Sequence, residues 1–294
     1  MTTWRIPVDI DIQPWFADHR FDGKVVLPAV ETMSLLAADV AGNHPEMDIQ
    51  VMEQVCFSRF LEIPEGSSRV AALIEYQKNE NGSLSAKLLS RRQYQAVTRM
   101  QEHGEVLFSP APASRKHIAP FVAMKPLPDA HREIPAEQVY RELVPFGPGY
   151  HTLQGTLYLD GRSAWGSLRA PLLPASGRTQ DRTGSPFPLD GAFHAACVLG
   201  QQTVDFVPFP VGFERRIILK PTEPGGSYRT QVELLSRTRD ELLFDLHIYD
   251  DQGLVYERVS GLRMRDVSGG AIKPPEWMKA LEEKSGGICD RPTL

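Results

Sequence analysis

Ala29-Val30-Glu31-Thr32-Met33-Ser34-Leu35-Leu36-Ala37-Ala38-Asp39-Val40-Ala41 places Val30, Met33, Leu36, Ala37 and Val40 at helical spacing. Gly42-Asn43 ends the pattern. A second such stretch, residues 191–206, does the same with Phe193, Ala196, Cys197, Gly200 and Val204. Both are rich in small residues, as suits a helix lying close against a sheet. Pro28 and Pro188 precede the two stretches and lie 160 positions apart.

Strand-like stretches follow each helix. After the first come residues 51–61, 69–77, 83–90 and 98–108; after the second, 213–219, 228–235, 241–249 and 255–264. In 242–248, Leu242, Phe244, Leu246 and Ile248 alternate with Leu243, Asp245 and His247, the period-two signature of a strand with one buried face. The turns Pro64-Glu65-Gly66-Ser67 and Pro224-Gly225-Gly226-Ser227 are again 160 positions apart. Asn79–Gly82 and Asp250–Gly253 read as hairpin turns in unmatched positions. The chain is therefore read as α+β, the same unit twice: a small-residue helix wrapped by an antiparallel sheet.

This divides the chain into residues 1–115, a Pro-rich connector at 116–135, a second unit at 136–268 and a tail at 269–294, with a short helix expected over 275–284. Residues 171–188 read as a long loop leading to Asp190, the kind of loop that often serves a site.

Composition excludes several classes. With 41 % hydrophobic and 23 % charged residues in 294, the chain has the make-up of a globular protein. A net charge of −5 offers no overall basic surface for nucleic acid. No run approaches the ~20 apolar residues of a membrane span, and the N-terminus lacks the apolar core of a secretory signal. Cys56, Cys197 and Cys289 are far apart with no metal-ligand spacing, which suits a reducing compartment. The chain is read as cytoplasmic and free-standing, or cut from something larger. Arg215-Arg216 reads as a charged strand edge.

Two segments carry chemistry. In His19-Arg20-Phe21-Asp22-Gly23-Lys24-Val25-Val26-Leu27-Pro28, histidine is the side chain that most readily accepts a proton near neutral pH. Gly23 lets backbone approach closely, and the helix that begins at Pro28 offers free N–H groups and a positive dipole end. A base beside such a helix start is what removal of a proton next to a carbonyl needs. The plain alternative is a histidine packed at a corner. In Pro188-Leu189-Asp190-Gly191-Ala192-Phe193-His194, Asp190 reads either as an N-cap or as an acid that protonates a leaving hydroxyl. His194 lies one turn on, on the same face.

Together the segments resemble the dehydratases of polyketide synthases. That family pairs His-x-x-x-Gly-x-x-x-x-Pro in its first half with Asp-x-x-x-Gln/His at the helix of its second. Here they stand as His19/Gly23/Pro28 and Asp190/His194. Phe146-Gly147-Pro148-Gly149-Tyr150 is similar to the family's Tyr-Gly-Pro-x-Phe segment. Pro210-Val211-Gly212-Phe213-Glu214-Arg215-Arg216 resembles the strand after its second helix.

The resemblance spans about residues 10–268. It implies a double hotdog, two helix-wrapped antiparallel sheets side by side. It implies dehydration of a 3-hydroxyacyl thioester on the phosphopantetheine of an acyl carrier protein, with His19 as base, Asp190 as acid and His194 in support. Gly23, Pro28, Ala29, Phe146, Gly147, Pro148 and Tyr150 would shape the substrate site. It implies no metal and no redox cofactor, and allows a homodimer. A product-template-type aldol cyclase of a poly-keto chain and a non-catalytic acyl-binding scaffold are the rival readings. Two departures stand out. Ala29 occupies a position often held by glycine, tolerable if helical, and Phe146 replaces a tyrosine, whose hydroxyl is either supplied by Tyr150 or lost, with Tyr150 an apolar packing residue.

Overall fold

The computed structural model describes residues 2–94, 97–110, 131–173 and 179–279. Most of the connector, the middle of the 171–188 loop and the tail beyond Lys279, including Cys289, lie outside the described residues.

The first half contains β1 (Thr2–Asp11), the short hairpin β2 (Arg20–Phe21) and β3 (Lys24–Val25), then the first central helix (Ala29–Asn43). β4 (Met47–Cys56), β5 (Arg69–Lys78), β6 (Leu84–Tyr94) and β7 (Val97–Pro110) follow. The second half runs β8 (Arg132–Pro135), β9 (Leu153–Leu159), β10 (Ser163–Arg169) and the second central helix (Phe187–Gln201). It ends with β11 (Phe209–Ile218), β12 (Ser227–Arg237), β13 (Glu241–Tyr249) and β14 (Val255–Arg265).

Apart from β2 and β3, these strands make one sheet of twelve, in the order β1-β5-β6-β7-β4-β11-β14-β13-β12-β10-β9-β8. The double hotdog is thus two sheets joined edge to edge through the antiparallel pair β4 and β11. Met52 faces Arg216 and Cys56 faces Gly212 there, so the register is centred on positions 54 and 214. Those positions are 160 apart, the spacing of Pro28 and Pro188. A twofold rotation exchanges the strands of an antiparallel pair, so the sequence repeat and the central register express one approximate symmetry. The Pro64 and Pro224 turns lead into the equivalent strands β5 and β12. The two hairpins differ as their unmatched positions require: Asn79–Gly82 joins β5 to β6, Asp250–Gly253 joins β13 to β14.

Each half-sheet curls around its helix. The first helix packs on β4, β6 and β7, burying Met33, Leu36, Ala37 and Val40; the second packs on β9, β10, β12 and β13. Every residue of the second helix is buried. Small residues permit this. A Cβ on Gly200 would stand 2.7 Å from Leu242 Cδ1 and 2.8 Å from Pro208 Cγ.

Several expectations are revised. The second helix begins at Phe187, not at Gly191, so Asp190 sits in its first turn and is not the N-cap, which is Pro186. Prolines are tolerated there because the first-turn N–H groups have no intrahelical partner. β4 and β11 each begin four residues earlier than read; β4 is buried on both faces over much of its length, which erases the alternation. The end of the connector is a strand, β8, edge-paired to β9. Glu276–Lys279 is helical within the described part of the tail. Arg216 is no exposed edge charge. It is buried and pairs with Glu257, Nη2 to Oε2 2.8 Å.

Candidate active site

His19 ends a 3-10 turn (Pro14–Asp18), and its backbone N–H donates to the Phe16 carbonyl. Its Nδ1 lies 3.2 Å from the Val26 carbonyl oxygen. A carbonyl only accepts, so Nδ1 carries the ring proton and Nε2 keeps its lone pair. The ring is buried, stacked on Phe146 with centroids 4.3 Å apart and planes 16° apart, with Tyr150 edge-on at 5.2 Å. Burial lowers its pKa to about 4, against the pull of the Asp190 charge, which raises it.

What holds His19 against Phe146 is the residue before it. Gly147 N–H donates to the Asp18 carbonyl at 2.8 Å, and Gly149 N–H donates to Asp18 Oδ2 at 2.8 Å. A Cβ on Gly147 would fall 2.4 Å from Asp18 Oδ1. The two glycines of the Phe146–Tyr150 segment therefore admit the Asp18 carboxylate and tie the halves together beside the histidine.

Asp190 and His194 project from the second helix. His194 Nε2 lies 3.0 Å from Asp190 Oδ2, out of line for a hydrogen bond, so neither atom has a hydrogen-bond partner among the described residues. Tyr140 backs His194. Its hydroxyl accepts the Leu153 N–H at 2.8 Å and lies 3.4 Å from His194 Nδ1, to which its own proton can be given. Burial lifts the Tyr140 pKa, so the phenol stays protonated.

These groups meet at one cavity of about 450 Å³. His19, Ala29, Phe146, Asp190 and His194 line it, with apolar walls that include Leu27, Phe57, Phe193 and Met264. Ala29 is helical, as its tolerance required, and no side chain caps that helix start. Gly23, Pro28, Gly147, Pro148 and Tyr150 are not among the lining residues. Cys197 lines the cavity as a buried thiol whose pKa burial raises to about 12, far from a reactive thiolate.

Sequence reasoning missed Tyr140, Asp18 and His103. Nothing local marks the first two, since their partners lie far along the chain. His103 lines the cavity with both ring nitrogens engaged, Nε2 with Ser90 Oγ at 2.7 Å and Nδ1 with the Arg59 carbonyl at 3.2 Å. Among the described residues no cluster of His, Cys, Asp or Glu is grouped to hold a metal ion, and no helix is long and apolar enough to cross a membrane.

Two helix-wrapped sheets, with an imidazole from one and a carboxyl group from the other facing a shared cavity, define a double-hotdog protein. The chain belongs to the polyketide synthase dehydratase family. The family model for the polyketide synthase dehydratase N-terminal domain matches residues 118–273, and that for the polyketide synthase dehydratase domain matches residues 2–91.

Curated relatives include polyketide synthase ThaG of Burkholderia thailandensis, 27 % identical over 86 % of this chain. Another is the phenolphthiocerol synthesis polyketide synthase Pks15/1 of Mycobacterium marinum, 24 % identical over 96 %. The aligned regions are only 4 % and 12 % of those relatives' lengths. Similar solved structures include the dehydratase domain from the CurF module of curacin polyketide synthase (TM-score 0.68, 19 % identity, 90 % of this chain and 93 % of that one). A trans-AT polyketide synthase dehydratase domain from Brevibacillus brevis is comparable (TM-score 0.66, 16 % identity, 90 % and 93 %).

Proposed function

We propose that the chain is a hydro-lyase that removes water from a 3-hydroxyacyl thioester, carried on the phosphopantetheine arm of an acyl carrier protein, to give the enoyl thioester. The observation that carries this reading is the convergence of His19 and Asp190, from opposite halves, on one largely apolar cavity.

His19 is neutral at physiological pH because burial disfavours its cation, and its Nε2 lone pair is available to take the proton next to the thioester carbonyl. The first helix, opening at Ala29 without a side-chain cap, presents a positive dipole end on which charge developing at the carbonyl oxygen is stabilised. Asp190 gives its proton to the 3-hydroxyl, which leaves as water, and His194, backed by Tyr140, orients that carboxyl group. The two transfers assist each other. As Asp190 becomes negative it favours the imidazolium forming on His19, the direction in which its charge acts. Proton return from His19 to Asp190 then resets the pair.

The test follows enoyl thioester formation by purified wild type, His19→Ala and Asp190→Asn. Loss of turnover with retained fold and substrate binding is expected in both. Unchanged rates in both folded variants discard the assignment. A product of cyclised mass points instead to the aldol cyclase, and the absence of any turnover by wild type points to an acyl-binding scaffold.

A further inference from the structure

Elimination leaves a water molecule beside Asp190, in a cavity that the acyl chain and its arm occupy. Three buried polar atoms have no hydrogen-bond partner among the described residues: Glu31 Oε1, Tyr150 OH and Trp15 Nε1. Glu31 is 6 % exposed, Tyr150 0 % and Trp15 9 %. The Trp15 indole N–H interacts with the Glu31 carboxylate and favours its charge, but neither Trp15 Nε1 nor Glu31 Oε1 has a hydrogen bond of ordinary geometry among the described residues. Glu31 and Asp190 act on each other's charge, and the Tyr150 phenol responds to both, so the groups form one cluster. Burial, with a smaller contribution from Asp190, raises the Glu31 pKa to about 7. Buried polar atoms left without protein partners are commonly satisfied by ordered water.

A second cavity, of about 180 Å³, touches this cluster. Glu31 lines it, and Leu27 is a wall of both cavities. Its other end is polar and reaches the surface, where Asp9 and Asp11 are exposed; Thr179 and Thr183 close it from the second half. At about 30 Å³ per molecule in the liquid, it has room for a few waters with polar partners along the way.

We propose that the second cavity is a water path, by which water reaches and leaves the Asp190 side of the site past Glu31 while the acyl chain fills the main cavity. The proposal rests on the dehydration reading for its purpose, though not for the existence of the path.

Two measurements test it. A crystal structure of the full chain is expected to show water on Glu31 Oε1, Tyr150 OH and Trp15 Nε1, continuous with the second cavity. A dry cluster overturns the proposal whatever the activity. Ala38→Phe fills the second cavity from the first helix, away from the main one, and Ser34→Val is a milder plug should the larger one fail to fold. In either plugged variant kcat is expected to fall at least fivefold with KM within twofold of wild type. Transfer of ¹⁸O from labelled water into the 3-hydroxyl during hydration of the enoyl thioester should fall in parallel. Wild-type rates in a variant whose crystal structure shows the path closed overturn the proposal. An inactive wild type with water in place rejects the dehydration reading and leaves the path standing.

Discussion

Asp18 Oδ2 accepts the backbone N–H of Gly149 at 2.8 Å, a hydrogen bond between residues 131 positions apart. It lies one residue before His19 and three after Phe146, so it sets how the imidazole meets the ring stacked on it. The small Gly147 and Gly149 leave room for the carboxylate.

Removing this clasp is the first prediction. Hydrogen bonds to charged groups contribute about 1.5–3 kcal/mol. Asp18→Ala is expected to lose about 2 kcal/mol of unfolding free energy, read by urea denaturation, and at least tenfold in turnover. Gly147→Ala, which sets a methyl group against the carboxylate, should resemble it. Normal turnover in both would show that the clasp does not position His19.

The pH dependence follows from His19. Its pKa falls from 6.5 to about 4 in the folded chain. The base therefore stays neutral down to that range, and the acid limb of kcat/KM should lie near pH 4 rather than 6.5. The sign for stability is the same. Below pH 6.5 the unfolded chain binds a proton that the folded chain refuses until about pH 4, so stability is lost across that window, by about 3 kcal/mol at 1.36 kcal/mol per pKa unit. His19→Gln should lack this loss, compared by denaturation at pH 7 and pH 4.5.

Glu31 acts in the opposite direction. Its pKa rises from 4.5 to about 7. Above pH 4.5 the unfolded chain gives up a proton that the folded chain holds until about pH 7, so wild type loses stability as pH rises through that window, again about 3 kcal/mol. Glu31→Gln should match wild type near pH 4 and exceed it at pH 8. Parallel stability curves for the two proteins would refute the shift.

The buried pair Arg216 and Glu257 stands beside the central strand pair, with Arg216 Nη1 also 3.8 Å from Met52 Sδ of the other half. Removing one partner strands a buried charge, at a cost of about 3–5 kcal/mol. Arg216→Met and Glu257→Gln should each unfold far more easily, and the double variant Arg216→Met/Glu257→Leu should recover most of the loss. Additive losses in that double-mutant cycle would contradict this account.

Tyr140→Phe removes the acceptor of the Leu153 N–H and the hydroxyl beside His194. A buried donor left unpaired costs about 1–3 kcal/mol. The variant should lose stability in that range, and kcat should fall more than KM changes, since Tyr140 acts on Asp190 through His194. An unchanged kcat would remove Tyr140 from the site.

Much of this molecule was legible locally. The two small-residue helices and the strands after them announce themselves by period, and the segments of His19 and Asp190 by their place ahead of, or at the start of, a helix. β1 went unread, although Trp4, Ile6, Val8 and Ile10 alternate in it. The start of the second helix was not legible. Pro186 and Pro188 read as loop, and a helix buried all round shows no polar face by which to place its first turn. Nor was the burial of Glu31 visible, because one carboxylate on a helical pattern looks the same whether it faces water or Trp15.

Alone, the sequence determined the repeat of 160 positions, the helix-and-sheet unit and the pair of segments bearing an imidazole and a carboxyl group. Those follow from side-chain periodicity and backbone preference, which act over a few residues. Only the tertiary structure decided that β4 and β11 join the halves, that Asp18 seats His19 on Phe146, and that Glu31 lines a second cavity that shares the Leu27 wall with the first. Those depend on contacts between residues far apart in the chain, which exist only once the sheets have closed on their helices and excluded water between them.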